Sequence, residues 1–539
     1  MTDIDFIIIS QSDIVNSEEY SKLPLDRIEL YKDLIYPRMI YFKGGFRSHL
    51  EVINYFNKGR FYSEADYPER RKLFNIWNLP SMNGLYLANY LSQYSIKTKI
   101  INNFDSEWDL LSEVYLKNKR KPLVGISSTF HLSYPGLQRI AKKLQTLDSA
   151  MEIAVGGAFV NEQMINGEIK DFEQVMRKYK LNYILYAFNS EKDLKDLILV
   201  KKDNADIEKV NNLAYLGAEG GFHLTSSVWN EPPLDELPGL WDKLEPTAIN
   251  RTIQMRTSSG CAFACAFCSY PVTAKGFHAM NCEQVEKHIR SVLSIPGVTR
   301  IIFIDDTFNI PVPRFKEMCR LFAKYDFEWF SFLRVQFVDD EIVKLMKESG
   351  CRGVYLGLES SNDNILRNMN KKATRAEFLK GIELLKKHGI ITLAAFIIGF
   401  PGETEESIEE NIKFIEETGL DYYTLKEFYY MQHTSIHEKR DKFGLTGIGS
   451  NWKHDTMDYN LAHLKKIEML KRIKKSIFID PDTSLWYLAY LYDQGMSFEL
   501  ISRVQREINE IMIDQIDNKF DDNSQNFRNL QNILIKESS

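Results

Sequence analysis

Cys261-Ala262-Phe263-Ala264-Cys265-Ala266-Phe267-Cys268 packs three of the chain's six cysteines into eight positions. No cysteine precedes it, and Cys282, Cys319 and Cys351 are scattered behind it. A secreted disulfide scaffold spreads its cysteines in pairs, so this pattern points to a reduced, cytoplasmic setting with one thiolate cluster. Thiolates at CxxxCxxC spacing converge only if the chain loops around a common centre. A structural zinc usually takes four protein ligands, arranged as two CxxC pairs. Here no second pair follows, and the nearest histidine, His278, is ten residues on. A [4Fe–4S] cluster held by three cysteines leaves one iron open to a small molecule.

The surroundings of this run set its place in a fold. Ile253–Thr257 ahead of it reads as a strand. Behind it come strand candidates at Arg300–Ile304, Trp329–Arg334, Gly353–Gly357, Thr392–Gly399 and Asp421–Phe428, with helical stretches between them. One helix opens on Thr374-Arg-Ala-Glu377, a capping box, and continues with Phe378, Ile382 and Leu385 on one face. Six βα repeats over residues 251–435 predict a partial (β/α)6 barrel, with its chemistry at the C-terminal strand ends. The cysteine loop leaves the first of those ends. Beyond residue 435 the strand pattern fades. Tyr459–Ile477 and Phe498–Ile516 read as helices of a C-terminal extension, 436–539, whose polar tail after Asp517 reads as loose.

Upstream, residues 1–200 alternate strand and helix. Phe6–Ser10, Lys97–Asn102, Val124–Ser128, Met151–Val155 and Tyr183–Ala187 are the strands; Asn83–Tyr94 and Pro135–Leu147 are amphipathic helices. Short apolar strands alternating with helices predict an α/β, Rossmann-like parallel sheet covered on both faces. Gly125, Gly156 and Gly157 fall at or just after strands, where backbone either approaches a ligand or merely turns. Residues 201–250 read as a linker, because Asn230–Pro238 (NEPPLDELP) is dense in proline and acid. The 539 residues carry a net charge of −6, which speaks against nucleic acid as a partner, and no apolar run is long enough to span a membrane.

CxxxCxxC after the first strand of a six-repeat barrel resembles the radical S-adenosylmethionine (SAM) superfamily. The resemblance implies that Cys261, Cys265 and Cys268 hold a [4Fe–4S] cluster whose open iron chelates SAM, and that a one-electron donor such as flavodoxin or ferredoxin serves it. Phe267 is similar to the aromatic that packs on adenine. Glu359 and Ser360 would reach the ribose or methionine moiety, Arg334 a SAM carboxylate or the substrate, and the glycine turn at Gly399 would support adenine. Asp305 and Asp306 lie at a strand end facing the same region. As alternatives, Asp305 or Asp306 caps the next helix, and Thr404 caps the helix carrying Ile408, Ile412 and Ile415.

Residues 1–200 resemble the cobalamin-binding domain found ahead of many such barrels. Leu79-Pro80-Ser81-Met82-Asn83-Gly84-Leu85, Val124–Thr129 and Val155–Ala158 follow that domain's order, although its Asp-x-His-x-x-Gly motif is absent and Phe188-Asn189-Ser190-Glu191 replaces the usual Gly-Glu-Gly-Glu. Cobalamin is therefore an implied cofactor. The stretches Cys268–His278 and Trp452–Met457 resemble both the P-methyltransferase branch of phosphinate pathways and the proteusin peptide epimerases. The first implies a cobalamin-dependent methyltransferase, in which a 5′-deoxyadenosyl radical abstracts a substrate hydrogen and methylcobalamin donates the methyl group. The second implies epimerisation of a peptide, which needs a thiol donor. Cys282, Cys319 and Cys351 sit on apolar faces or at the wrong strand end for that role. A small molecule or a peptide is the expected substrate, and no catalytic residue is assigned.

Overall fold

A computed structural model describes residues 3–12, 22–30, 35–66, 69, 72–129, 134–167, 169–217, 219–239, 241, 251–479 and 484–536. The chain divides into two compact units. One comprises Met1–Val15, Trp77–Ser259 and His278–Thr299; the other comprises Asn16–Ile76, Gly260–Phe277 and Arg300–Ser539.

The first unit is built on a seven-stranded sheet. Phe6–Gln11 lies between Thr98–Asn103 and Leu123–Ser127, paired in parallel with both. Ile153–Gly156 and Tyr183–Leu185 extend the parallel array. Phe6–Gln11 is buried along its whole length, which explains an unbroken Phe-Ile-Ile-Ile run where a one-sided strand would alternate. Ile7, Ile9, Val124 and Ile126 pack with Leu137, Ile140, Ala141 and Leu144 of helix Tyr134–Leu147.

All five expected strands of this unit are present, within a few residues of their predicted ends. The stretch expected as a linker departs from expectation. Leu213–Leu216 and Phe222–Leu224 within it are two further, antiparallel strands of the same sheet. Asn230 is tied to the unit by reciprocal amide bonds with Asn189, both 2.9 Å, and by a 2.7 Å bond to Asp193. Residues 242–250 of that stretch lie outside the described residues.

The second unit carries parallel strands Arg300–Phe303, Glu328–Leu333, Cys351–Glu359, Ile391–Ile398 and Tyr422–Glu427, each paired with the next, and a short strand, Ile477–Phe478, beside the last. Thr252–Met255, the first expected barrel strand, is also a strand and falls in the first unit. The Thr374 capping box is formed, with Glu377 on both sides of the reciprocal bond, and Thr404 caps helix Glu405–Thr418 as expected. The neighbouring helix Val312–Phe322 starts at Pro311, so neither Asp305 nor Asp306 caps it.

Two expectations about the C-terminus fail. The helix expected over Tyr459–Ile477 ends at Arg472, and Ile477 joins the sheet. The tail expected to be loose forms helix Gln525–Lys536, whose Phe527, Leu530 and Leu534 are buried. Phe527 stacks on Phe42 at 4.7 Å. Gln515 closes a two-way bond with the Tyr41 backbone, accepting from its N–H at 2.8 Å and donating to its C=O at 2.7 Å. Residues 16–76, expected in the N-terminal domain, thus fold with the C-terminal helices. Among the described residues, no helix is long and apolar enough to cross a membrane.

Candidate active site

The cysteine loop begins at a glycine that nothing else could replace. Gly260 has φ +82°, and a Cβ there would lie 1.7 Å from the Gly276 carbonyl oxygen. Beyond it the loop backbone is pinned by neighbours. Ala266 N–H donates to the Met369 carbonyl at 2.8 Å, Asn370 Nδ2 to the Ala264 carbonyl at 2.7 Å, and Ile436 N–H to the Ala266 carbonyl at 3.1 Å. The loop is therefore a fixed platform, not a free turn.

Cys261 and Cys265 both lie near enough to Cys268 for their charge to act on its thiol. Cys261 Sγ is 3.0 Å from Thr307 Oγ1. Cys265 is buried, and its Sγ accepts from Arg334 Nη2 at 2.9 Å. Burial pushes the Cys268 thiol up to about 12. The Tyr270 N–H opposes that, and the charges of Cys265, Asp306 and Cys261 add to it. Among the described residues no three His, Cys, Asp or Glu side chains are gathered tightly enough to hold a single metal ion. The donor set on this loop is three free cysteines, Cys261, Cys265 and Cys268, with Arg334 beside the second; three thiolates suit a [4Fe–4S] cluster that keeps one iron open.

The expected strand-end residues are placed around this loop to different degrees. Arg334, just beyond strand Glu328–Leu333, lies over the Phe263 ring at 3.6 Å and donates to the Lys371 carbonyl at 2.8 Å. Phe267 meets Phe400 edge-on at 6.4 Å and has Lys371 Nζ at 5.9 Å. Glu359 ends its strand at a bulge, with φ +68°, and accepts from Lys371 Nζ at 3.0 Å. Asp305 is buried, whereas Asp306 is exposed. Ser360 is fully buried, 3.5 Å from Asn411 Oδ1, and its Oγ accepts from Asn362 N–H at 3.2 Å. Those contacts hold the local turn.

Gly399 has φ +86°, and a Cβ there would lie 2.5 Å from Trp452 and 2.7 Å from Ala462. Its carbonyl is 3.0 Å from His454 Nε2, and its N–H donates to Glu403 at 2.5 Å. Glu403 is fully buried, which pushes its carboxyl up to about 8 against the pull of the Gly399 and Phe400 N–H groups. Lys371 and Glu403 were not singled out from sequence. Nothing in Asn370-Lys371-Lys372 distinguishes a buried lysine from a solvated one.

In the first unit the three expected glycines differ. Gly125 lies inside its strand, and a Cβ would strike the Phe6 ring at 2.5 Å, so close packing explains it. Gly156 ends a strand, and a Cβ added there would meet no atom nearer than 3.4 Å; Gly157, at φ +110°, begins helix Ala158–Ile165. Nearby, Asn83 Nδ2 bonds to Ser127 Oγ at 3.3 Å. A Cβ on Gly157 would lie 3.1 Å from Ser128 N and 3.1 Å from Thr129 Oγ1, so close approach of the neighbouring strand-end loop accounts for that glycine.

Residues 255–415 match the sequence profile of the Radical SAM superfamily. The chain carries a radical SAM domain. It is 27% identical over 418 residues to an uncharacterized methyltransferase of Pyrococcus horikoshii, covering 74% of this chain and 86% of that protein. In fold it is similar to the radical SAM methyltransferase TsrM from Kitasatospora setae, solved with cobalamin and a [4Fe–4S] cluster bound. That likeness has a TM-score of 0.55 and 16% identity, and spans 68% of this chain and 72% of that one. It is also similar to the cobalamin-dependent SAM radical enzyme OxsB with aqua-cobalamin bound, with a TM-score of 0.54 and 15% identity over 99% of this chain and 80% of that one.

Proposed function

We propose that the chain is a cobalamin-dependent radical SAM methyltransferase acting on a small molecule or a peptide. What supports this reading is that one chain carries both the pinned three-cysteine loop and a parallel α/β sheet, and that its fold is similar to TsrM, solved with cobalamin and a [4Fe–4S] cluster bound, and to OxsB, solved with aqua-cobalamin bound. When bound, the [4Fe–4S] cluster with SAM supplies a 5′-deoxyadenosyl radical that takes a substrate hydrogen, and methylcobalamin supplies the methyl group.

The chain's own residues do the rest. Cys261, Cys265 and Cys268 would hold the cluster as thiolates. Glu359, held at its bulge by Lys371, would offer a carboxylate to the ribose or methionine moiety of SAM. Gly399, braced by His454 and Glu403, presents strand-end backbone, and Phe267 an aromatic face. The strand end at Gly156 and Gly157 would carry the corrin. A flavodoxin- or ferredoxin-type protein would deliver the electron.

The epimerase reading needs a thiol donor. Cys319 and Cys351 are each 1% exposed, and burial pushes the Cys319 thiol up to about 12. Cys282 is half-buried at the start of helix Cys282–Leu293. Turnover assays separate the two readings. Methyl transfer yields 5′-deoxyadenosine and S-adenosylhomocysteine together with a methylated product, whereas epimerisation in deuterated water places deuterium on a substrate carbon without S-adenosylhomocysteine.

A further inference from the structure

Arg334 is an unusual buried charge. Its side chain is fixed from every side: Nη1 donates to the Lys371 carbonyl at 2.8 Å, Nη2 to Cys265 Sγ at 2.9 Å, and the guanidinium lies 3.6 Å over the Phe263 ring. Its backbone is held by Asn309, whose amide oxygen accepts from Arg334 N–H at 3.1 Å and whose Nδ2 donates to the Arg334 carbonyl at 2.9 Å. The residue is 7% exposed. Among the described residues no carboxylate pairs with it.

A buried cation without a counter-charge is costly, and arginine keeps its charge. Among the described residues, the group beside Arg334 able to supply a negative charge is Cys265, whose Sγ here stands for the sulfur that would be bonded to an iron. A thiolate in that role retains lone pairs that accept an N–H. We infer that Arg334 is a positioning residue that sets the reduction potential of the cluster through this N–H···S contact. The inference rests on the reading that the three cysteines hold a [4Fe–4S] cluster.

The effect is one of charge. Reduction brings in one electron from a flavodoxin- or ferredoxin-type donor, makes and breaks no bond in the protein, and leaves the cysteine sulfurs more negative. A fixed guanidinium at 2.9 Å stabilises that reduced state more than the oxidised one. Hydrogen bonds to sulfur and local net charge are among the levers that set such potentials. The Phe263 face and the Lys371 carbonyl hold the guanidinium, and Asn309 holds its backbone, so the effect is built in.

The test uses the full chain, purified anaerobically and reconstituted with iron and sulfide, as wild type, Arg334→Gln and Arg334→Lys. Iron content is measured first, then the midpoint potential by dye-mediated titration read by electron paramagnetic resonance of the reduced cluster. Wild type and R334Q should each hold about four irons. The equilibrium constant for one-electron reduction should fall about tenfold in R334Q, which is ~59 mV. R334K, which keeps a charge but not the planar fork, should shift less. A loaded R334Q with an unchanged midpoint overturns the inference, and loss of iron from both variants overturns it in favour of a purely assembling role. A wild type that never takes up iron instead removes the underlying cluster reading, and is told apart by the first measurement.

Discussion

Lys371 Nζ stands 3.0 Å from Glu359 Oε1, with the two side chains only 5% and 12% exposed. Glu359 also carries a left-handed backbone, φ +68°, at the bulge between two barrel strands. The ion pair holds in place a residue whose backbone is otherwise unfavourable for an L side chain.

Breaking one partner of a buried pair strands the other. Glu359→Gln should cost about 3 kcal/mol of stability, and the double variant Glu359→Gln with Lys371→Met should recover much of it. Denaturant unfolding of the three proteins checks this. A double variant no more stable than E359Q would show that the pair contributes nothing as a pair.

Glu403 makes stability depend on pH in a direction opposite to that of an ordinary salt-bridged acid. Its carboxyl is raised from 4.5 to about 8, chiefly by burial. Between those values the folded state binds a proton that the unfolded state has released, so stability is greatest below the unfolded value and falls as pH rises toward 8. The slope reaches up to about 1.4 kcal/mol per pH unit. Glu403→Gln keeps an oxygen for the Gly399 N–H and cannot titrate. Thermal unfolding between pH 5 and 8 should show a flatter profile for E403Q than for wild type, and parallel profiles would contradict the assignment.

Gly125 tests packing against a ligand role. Gly125→Ala should destabilise the first unit by about 1–3 kcal/mol, because the new methyl group meets the Phe6 ring. Phe6→Leu in the same chain should relieve part of that cost. If packing is the whole explanation, the double variant takes up cobalamin as wild type does; lost uptake in a folded double variant would return Gly125 to the ligand site.

Much of this architecture was legible from periodicity. Helix Phe498–Ile516 matches its expected span residue for residue, and the barrel strands fall within a few residues of theirs. What escaped were placements decided by contacts far apart in sequence. Phe42 and Phe527 stack across the length of the chain, so neither residues 16–76 nor the C-terminal tail could be assigned locally. The tail did carry a signal, since Phe527, Leu530 and Leu534 recur at helical spacing, but the polar residues between them masked it. In the site, the cysteine spacing and the strand-end positions were readable. The pairing of Arg334 with Cys265 and the burial of Lys371 were not, because both depend on how loops after different strands fold together.

The spare cysteines give a direct comparison of chemistries. Cys282→Ala, Cys319→Ala and Cys351→Ala should each leave turnover largely intact, with the buried Cys319 and Cys351 variants losing about 1–2 kcal/mol of stability. Assays in deuterated water check it. Solvent deuterium on a substrate carbon that disappears in one of these variants would mark that cysteine as a hydrogen donor and favour epimerisation.

The most direct test of the account is an anaerobic absorbance titration of iron-reconstituted protein with cobalamin, with iron and cobalt counted on the same sample. The account predicts about four irons and about one corrin per chain, with iron lost when Cys261, Cys265 and Cys268 are all replaced by alanine. Full iron loading with no cobalamin uptake at saturating concentration would contradict the methyltransferase reading.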